Sequence, residues 1–101
     1  MKLNVIFLPR ARLDLLEISA YIRRDNPAAV DRWLDDVDRT LGRLGAFPQS
    51  GVVPKDRRLA ALGYRMVVIG EYLAFYVVRR KKVRIRRILH GKRRYTFLLP
   101  E

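Results

Sequence analysis

Two apolar stripes at helical spacing, separated by only three residues, constrain this chain more than any other feature. Between Arg10 and about Arg24, Ala11, Leu15, Ile18 and Ile22 recur at intervals of four, three and four, with Leu13, Leu16 and Ala20 widening the stripe. From Pro27 to about Leu44 a second seam follows: Val30, Trp33, Leu34, Val37, Leu41 and Leu44. Asp31, Asp35, Asp36 and Asp38 face away from it with Arg32 and Arg39. Between the stripes lies Asp25-Asn26-Pro27. Asn26 suits an N-cap, and Pro27 suits a first helical position, where its missing N–H costs nothing. Pro9 does the same for the first helix. Asp14 and Glu17 lie near that helix's positive end and Arg23 and Arg24 near its negative end, both favourable to the helix dipole. Gly45, with Pro48 beyond it, reads as the stop of the second helix. So short a joint turns the helices back into an antiparallel hairpin, with Trp33 as a core anchor facing Leu15, Ile18 and Ile22.

Such a hairpin needs a sheet to cover, and the rest of the chain supplies strands. Lys2–Leu8 alternates, with Leu3, Val5 and Phe7 on one side. Residues 45–63 have no period and carry Pro48, Gly51, Pro54 and Gly63, so they read as a loop with one short turn near Asp56–Leu62. Strands are expected at about Tyr64–Ile69, Tyr72–Val78 and Val83–Leu89. Gly70-Glu71 forms a two-residue II′ turn, and Arg79-Arg80-Lys81-Lys82 a second, charged one. In the last strand Val83 and Ile85 alternate with Arg84 and Arg86, and the slip at Arg87-Ile88-Leu89 predicts a bulge or a doubly buried end. On the middle strand Tyr72, Ala74 and Tyr76 share a face, expected to be the one that reaches solvent, and Leu73 and Phe75 share the other. The order strand, helix, helix, strand, strand, strand predicts an α+β fold in one domain over residues 1–101. The helical hairpin lies on an antiparallel sheet with a C-terminal three-stranded meander, which the first strand joins.

The charge is as uneven as the apolar pattern is regular. The chain carries 22 Lys and Arg against 10 Asp and Glu, a net of +12. Residues 1–50 hold 8 basic and 7 acidic residues, and residues 51–101 hold 14 and 3, so the second half alone carries +11. A field of that size points to an acidic or polyanionic partner. Cys is absent, which excludes disulfides and thiolate metal sites, and with one His and no close acidic cluster no metal is expected. No apolar run approaches the roughly 20 residues of a membrane span, and no secretory signal is evident at the start; a cytoplasmic protein with no membrane partner is the expectation.

In this setting several stretches resemble the toxins of the ParE and RelE superfamily, the toxic halves of type II toxin–antitoxin pairs. Leu8-Pro9-Arg10-Ala11-Arg12-Leu13-Asp14-Leu15-Leu16-Glu17-Ile18 is similar to that family's first helix, and Asp25-Asn26-Pro27-Ala28-Ala29 to its inter-helix turn. Phe47-Pro48-Gln49-Ser50-Gly51 resembles the loop after the second helix. Gly63-Tyr64-Arg65, Tyr72-Leu73-Ala74-Phe75-Tyr76 and Ile88-Leu89-His90-Gly91-Lys92-Arg93 resemble its C-terminal strands. The resemblance implies a cognate antitoxin and no cofactor, in a toxin–antitoxin hetero-oligomer. It also implies one of two targets. RelE-like members cut messenger RNA on the ribosome, and ParE-like members poison DNA gyrase; the fold is common to both.

A metal-free ribonuclease must activate the 2′-hydroxyl, stabilise charge on the phosphate and protonate the leaving oxygen. Candidates for that enzyme are Arg65, His90, Arg93 and Tyr95, with Lys55, Arg57 and Arg58 in the loop. Against it, the resemblance places Leu73 where RelE-like nucleases present an arginine. Tyr95 also falls closer to Gly91 than their C-terminal tyrosine would. The expected function is therefore a ParE-like, non-enzymatic gyrase toxin, with the ribosome-dependent mRNA endoribonuclease as alternative. His90 is then structural or partner-binding. For an acidic, amphipathic antitoxin, or for the target, the expected contacts are Arg84, Arg86, Lys92, Arg93 and Arg94.

Overall fold

The computed structural model describes residues 2–92; the expectations attached to Arg93, Arg94 and Tyr95 lie outside the described residues. In chain order the elements are β1 (Asn4–Phe7), α1 (Pro9–Asp25), α2 (Pro27–Ala46), α3 (Arg57–Ala61), β2 (Arg65–Ile69), β3 (Tyr72–Arg79) and β4 (Lys82–His90). The helical hairpin forms as its residues dictate. Asn26 ends α1, and its side-chain Oδ1 accepts from the Ala28 N–H at 3.2 Å to cap α2, with Pro27 at the first position. Asp56 caps the short α3 through the N–H groups of Arg58 and Leu59 at 2.9 and 3.2 Å. The Leu59 N–H, ahead of the other contacts, holds the Asp56 carboxyl below its ordinary range.

The sheet has the order β1-β4-β3-β2. The meander is antiparallel, with Ile69 opposite Tyr72 across the first turn and Arg79 opposite Lys82 across the second. β1 returns to the sheet parallel to β4, setting Asn4 against Lys82 and Phe7 against Ile85. Gly70 has φ +62° and Glu71 does not share the positive sign, the pattern of a II′ turn. Arg80 and Lys81 both have positive φ, 54° and 61°, so the second turn is I′-like, with long cations where Asn or Gly is favoured. The slip in β4 is a bulge. Phe75 faces Arg87 and Tyr76 faces Ile85, so Arg86 is the extra residue.

One core lies between hairpin and sheet, built from Ala11, Trp33, Val37, Leu41 and Leu44 against Ile69, Ala74, Tyr76, Val83, Ile85 and Ile88. Leu3, Val5 and Phe7 pack against it from the first strand, and Leu15, Ile18 and Ile22 from α1. A second, smaller core lies on the opposite face of the sheet, where Leu59 of α3 covers Tyr64, Phe75, Val77 and Leu89.

Three expectations are corrected. The tyrosine face of β3 is turned toward the helices, not toward solvent; Ala74 and Tyr76 are fully buried in the main core. The pattern on β3 could not decide this, because α3 and Tyr64 make the other face apolar too. Leu13, Leu16 and Ala20 do not widen the buried stripe of α1; they are exposed. Asp14 and Ser19 are buried instead, because α1 packs its flank along β4 beyond the end of β1. Gly45 is not the stop of α2, which continues to Ala46. It is buried where the first strand crosses: its carbonyl accepts from the Leu3 N–H at 2.8 Å, and a Cβ there would meet the Leu3 carbonyl oxygen at 2.6 Å.

Candidate functional site

The candidate nuclease residues within the described chain do not converge. Arg65 opens β2 opposite Tyr76, whereas His90 closes β4 opposite Tyr72. Those register positions lie four residues apart on β3, Tyr72 to Tyr76, roughly 13 Å of strand. The Arg65 guanidinium is also engaged, its Nη1 donating to the carbonyls of Gln49 and Gly51 at 3.1 and 2.9 Å. Next to it the Tyr76 hydroxyl donates to the Pro48 carbonyl at 2.8 Å and accepts from the Gly51 N–H at 3.0 Å. Arg65 and Tyr76 together fasten the loop after α2 to the sheet. Leu73 lies opposite Leu89 and Val68 and packs against the smaller core. Of the loop cations, Arg57 and Arg58 begin α3, and Lys55 is exposed before it.

His90 is placed by its neighbours. Its Nδ1 accepts from the Lys92 N–H at 3.2 Å, leaving Nε2 toward Glu71 Oε1 at 3.6 Å. Its ring meets Tyr72 edge-on at 5.4 Å, and Tyr72 meets Trp33 edge-on at 5.5 Å. The Trp33 indole N–H points to the Ile69 carbonyl at 3.4 Å. Burial pushes the Tyr72 phenol above its ordinary value, with Tyr21 and Glu71 adding to the shift. These rings form part of a cleft of about 490 Å³ between the α1–α2 turn and the Gly70-Glu71 turn. Tyr21, Asp25, Asn26, Arg32 and Asp36 contribute from the hairpin, and Glu71, Tyr72 and His90 from the sheet. Sequence reasoning found His90 and Trp33 but missed Tyr21, Asp25, Asp36, Glu71 and Tyr72 as a group. They come from three separate elements, and no spacing in the chain links them.

The expected basic contacts also divide. Arg84 and Arg86 are half-buried on β4, Arg84 reaching the Arg79 carbonyl at 3.4 Å and Arg86 lying 5.9 Å over the Tyr64 ring. Lys92 lies past the other end of the same strand, roughly 20 Å from Arg86 at strand spacing. One basic residue belongs to the interior. Arg87 Nε and Nη2 grip Asp14 at 2.7 and 3.2 Å, and Asp14 also accepts from the Ile88 N–H at 2.9 Å. Asp14 thereby supplies a hydrogen-bond acceptor to β4 where β1 has ended. Among the described residues no group of His and acidic side chains could hold a metal ion, and no helix is long and apolar enough to cross a membrane.

Two helices folded onto one face of a four-stranded sheet, with a C-terminal antiparallel meander, are the architecture of the ParE/RelE-like toxins. The chain belongs to the ParE toxin family of type II toxin–antitoxin systems (parDE), whose sequence pattern matches residues 5–95. Among solved structures it is similar to the chromosomal ParDE toxin–antitoxin system of P. aeruginosa, with a TM-score of 0.74 and 18% identity over 90% of this chain and 98% of that one. It is also similar to the toxin–antitoxin complex RelBE2 of Mycobacterium tuberculosis, with a TM-score of 0.63 and 25% identity over 89% of this chain and 99% of that one. No curated protein sequence matches it.

Proposed function

We propose that this toxin arrests growth by inhibiting DNA gyrase without acting as an enzyme, and that a cognate antitoxin neutralises it in the cytoplasm. The observation that carries the reading is the state of the nuclease positions. Leu73, which can offer neither charge nor hydrogen bond to a phosphate, is packed against the sheet's second core. Arg65 is committed to two loop carbonyls at the other end of the sheet from His90. The match to the ParE family supports the same target. The structural similarity to two toxin–antitoxin systems supports the antitoxin partner.

Purified toxin should inhibit supercoiling by gyrase and should leave ribosome-bound messenger RNA intact. His90→Ala should keep the inhibition. Messenger cleavage by the wild-type protein, abolished by His90→Ala in a folded variant, would replace this reading with the ribonuclease.

A further inference from the structure

The molecule is basic at one end and carries an acidic, aromatic hollow at the other. The β3–β4 tip is a run of four exposed cations, Arg79 to Lys82, and among the described residues no carboxylate lies within ion-pair distance of them. The cleft lies at the far end of β3. Its walls present the rings of Tyr21, Trp33 and Tyr72, and its polar lining includes the carboxylates of Asp25, Asp36 and Glu71. Arg32 also lines it, and Asp36 is paired outward with Arg39. Among the described residues, Asp25 and Glu71 have no basic partner closer than the 3.6 Å contact of Glu71 with His90. Aromatic faces and carboxylates around a hollow attract a cation through the ring quadrupole and through charge, here at a cleft open to solvent, where Tyr21 is 61% and the Glu71 side chain 82% exposed. One of these rings already takes a cation: the Arg24 guanidinium lies 6.0 Å over Tyr21.

We propose that this cleft receives an Arg or Lys side chain of the antitoxin's toxin-binding segment. The proposal rests on the antitoxin reading above and deepens it. The hollow lies between hairpin and sheet, where an amphipathic segment would lay its apolar side. Its volume of about 490 Å³ holds a long cationic side chain together with its apolar neighbours. The segment then carries a basic residue where it enters the cleft; Arg84 and Arg86 lie on the sheet's other face, beside Val77 and Tyr64. A basic residue at that place discriminates between antitoxins in a way that bulk charge cannot, since a uniformly acidic segment would set its carboxylates against Asp25 and Glu71.

The test begins with the toxin alone. Ethylguanidinium, isobutanol and propionate are titrated into isotopically labelled protein and followed by NMR. Ethylguanidinium should give saturable shifts at the Tyr21, Trp33 and Tyr72 resonances, and the double variant Asp25→Asn/Glu71→Gln should bind it at least tenfold more weakly. Equal shifts with isobutanol, no shifts, or undiminished binding by the double variant would overturn the cation site. The second arm measures binding of the adjacent open reading frame's product. The double variant should lose at least tenfold in affinity, and replacing the antitoxin's contacting Arg or Lys by Met should cost the wild-type toxin the same. Undiminished affinity in both cases would overturn the assigned occupant. Absence of any binding by the wild-type toxin would overturn the antitoxin reading and this occupant with it, while the guanidinium titration would still decide the chemistry of the cleft.

Discussion

Asp14 shows how much one residue's role depends on what packs beside it. In the sequence it reads as a favourable charge near a helix start; in the fold it is 4% exposed and holds both the Arg87 guanidinium and the Ile88 N–H. Removing Asp14 takes from the Arg87 guanidinium and the Ile88 N–H the buried acceptor they share. Asp14→Ala should therefore cost about 3–5 kcal/mol, read from chemical denaturation. Asp14→Leu combined with Arg87→Met should cost clearly less than the sum of the two single changes. Additivity would show that the pair is not coupled. Tyr76 gives a prediction in pH. Burial pushes its phenol above its ordinary value, while the Gly51 N–H and the Arg65 charge pull it down by less, and Tyr72 shifts upward too. The unfolded chain therefore releases these protons first. Their contribution to stability is complete below pH about 10 and falls as the pH rises through the folded values. Tyr76→Phe should flatten that alkaline loss in a series of denaturation midpoints; an unaltered slope would show that Tyr76 does not ionise differently in the two states.

Two glycines on α2, three residues apart, separate helix propensity from packing. Gly42 is exposed and a Cβ there would meet nothing within 4 Å, whereas at Gly45 it would meet the Leu3 carbonyl oxygen at 2.6 Å. Gly42→Ala should stabilise the protein by about 0.8–1 kcal/mol. Gly45→Ala should destabilise it by displacing β1 from the helix. A thermal melt of each checks both signs, and a stabilising Gly45→Ala would mean that β1 does not cross there. The β3–β4 turn makes a similar point. Arg80 and Lys81 occupy left-handed backbone, at a cost of about 1–2 kcal/mol per residue for a side chain with a Cβ. Lys81→Gly should raise the unfolding midpoint, and a lower midpoint would argue that the lysine contributes contacts its exposure does not suggest.

Across the whole molecule the excess positive charge should act mainly on encounter. Exposed charges steer association and are screened by salt within about 8–10 Å at physiological strength. Reversing Arg84 and Arg86 to Glu should slow association with the antitoxin and weaken its salt dependence. Dissociation should change less. A rate of association that is insensitive to salt in the wild-type protein would remove the electrostatic part of the proposed antitoxin recognition.

What the chain determined locally is considerable. The helices, their joint at Asn26-Pro27, the II′ turn at Gly70, the α3 turn capped by Asp56 and the slip in β4 all follow from periods and caps, which act over a few residues. Trp33 was legible as core for the same reason, because its seam has only one apolar surface to meet. Tertiary structure decided whatever depended on a second surface. Which face of β3 meets the helices was settled by α3, which covers the other face with Leu59. Leu13 and Leu16 were left outside because α1 turns Asp14 and Ser19 toward its neighbours instead. The cleft was invisible in sequence because Tyr21, Asp25, Trp33, Glu71, Tyr72 and His90 converge only when the helix–helix turn and two strand ends reach the same end of the sheet. Patterns along a chain report what neighbouring residues share; juxtaposition across elements is fixed by packing, and a binding site is made of juxtapositions.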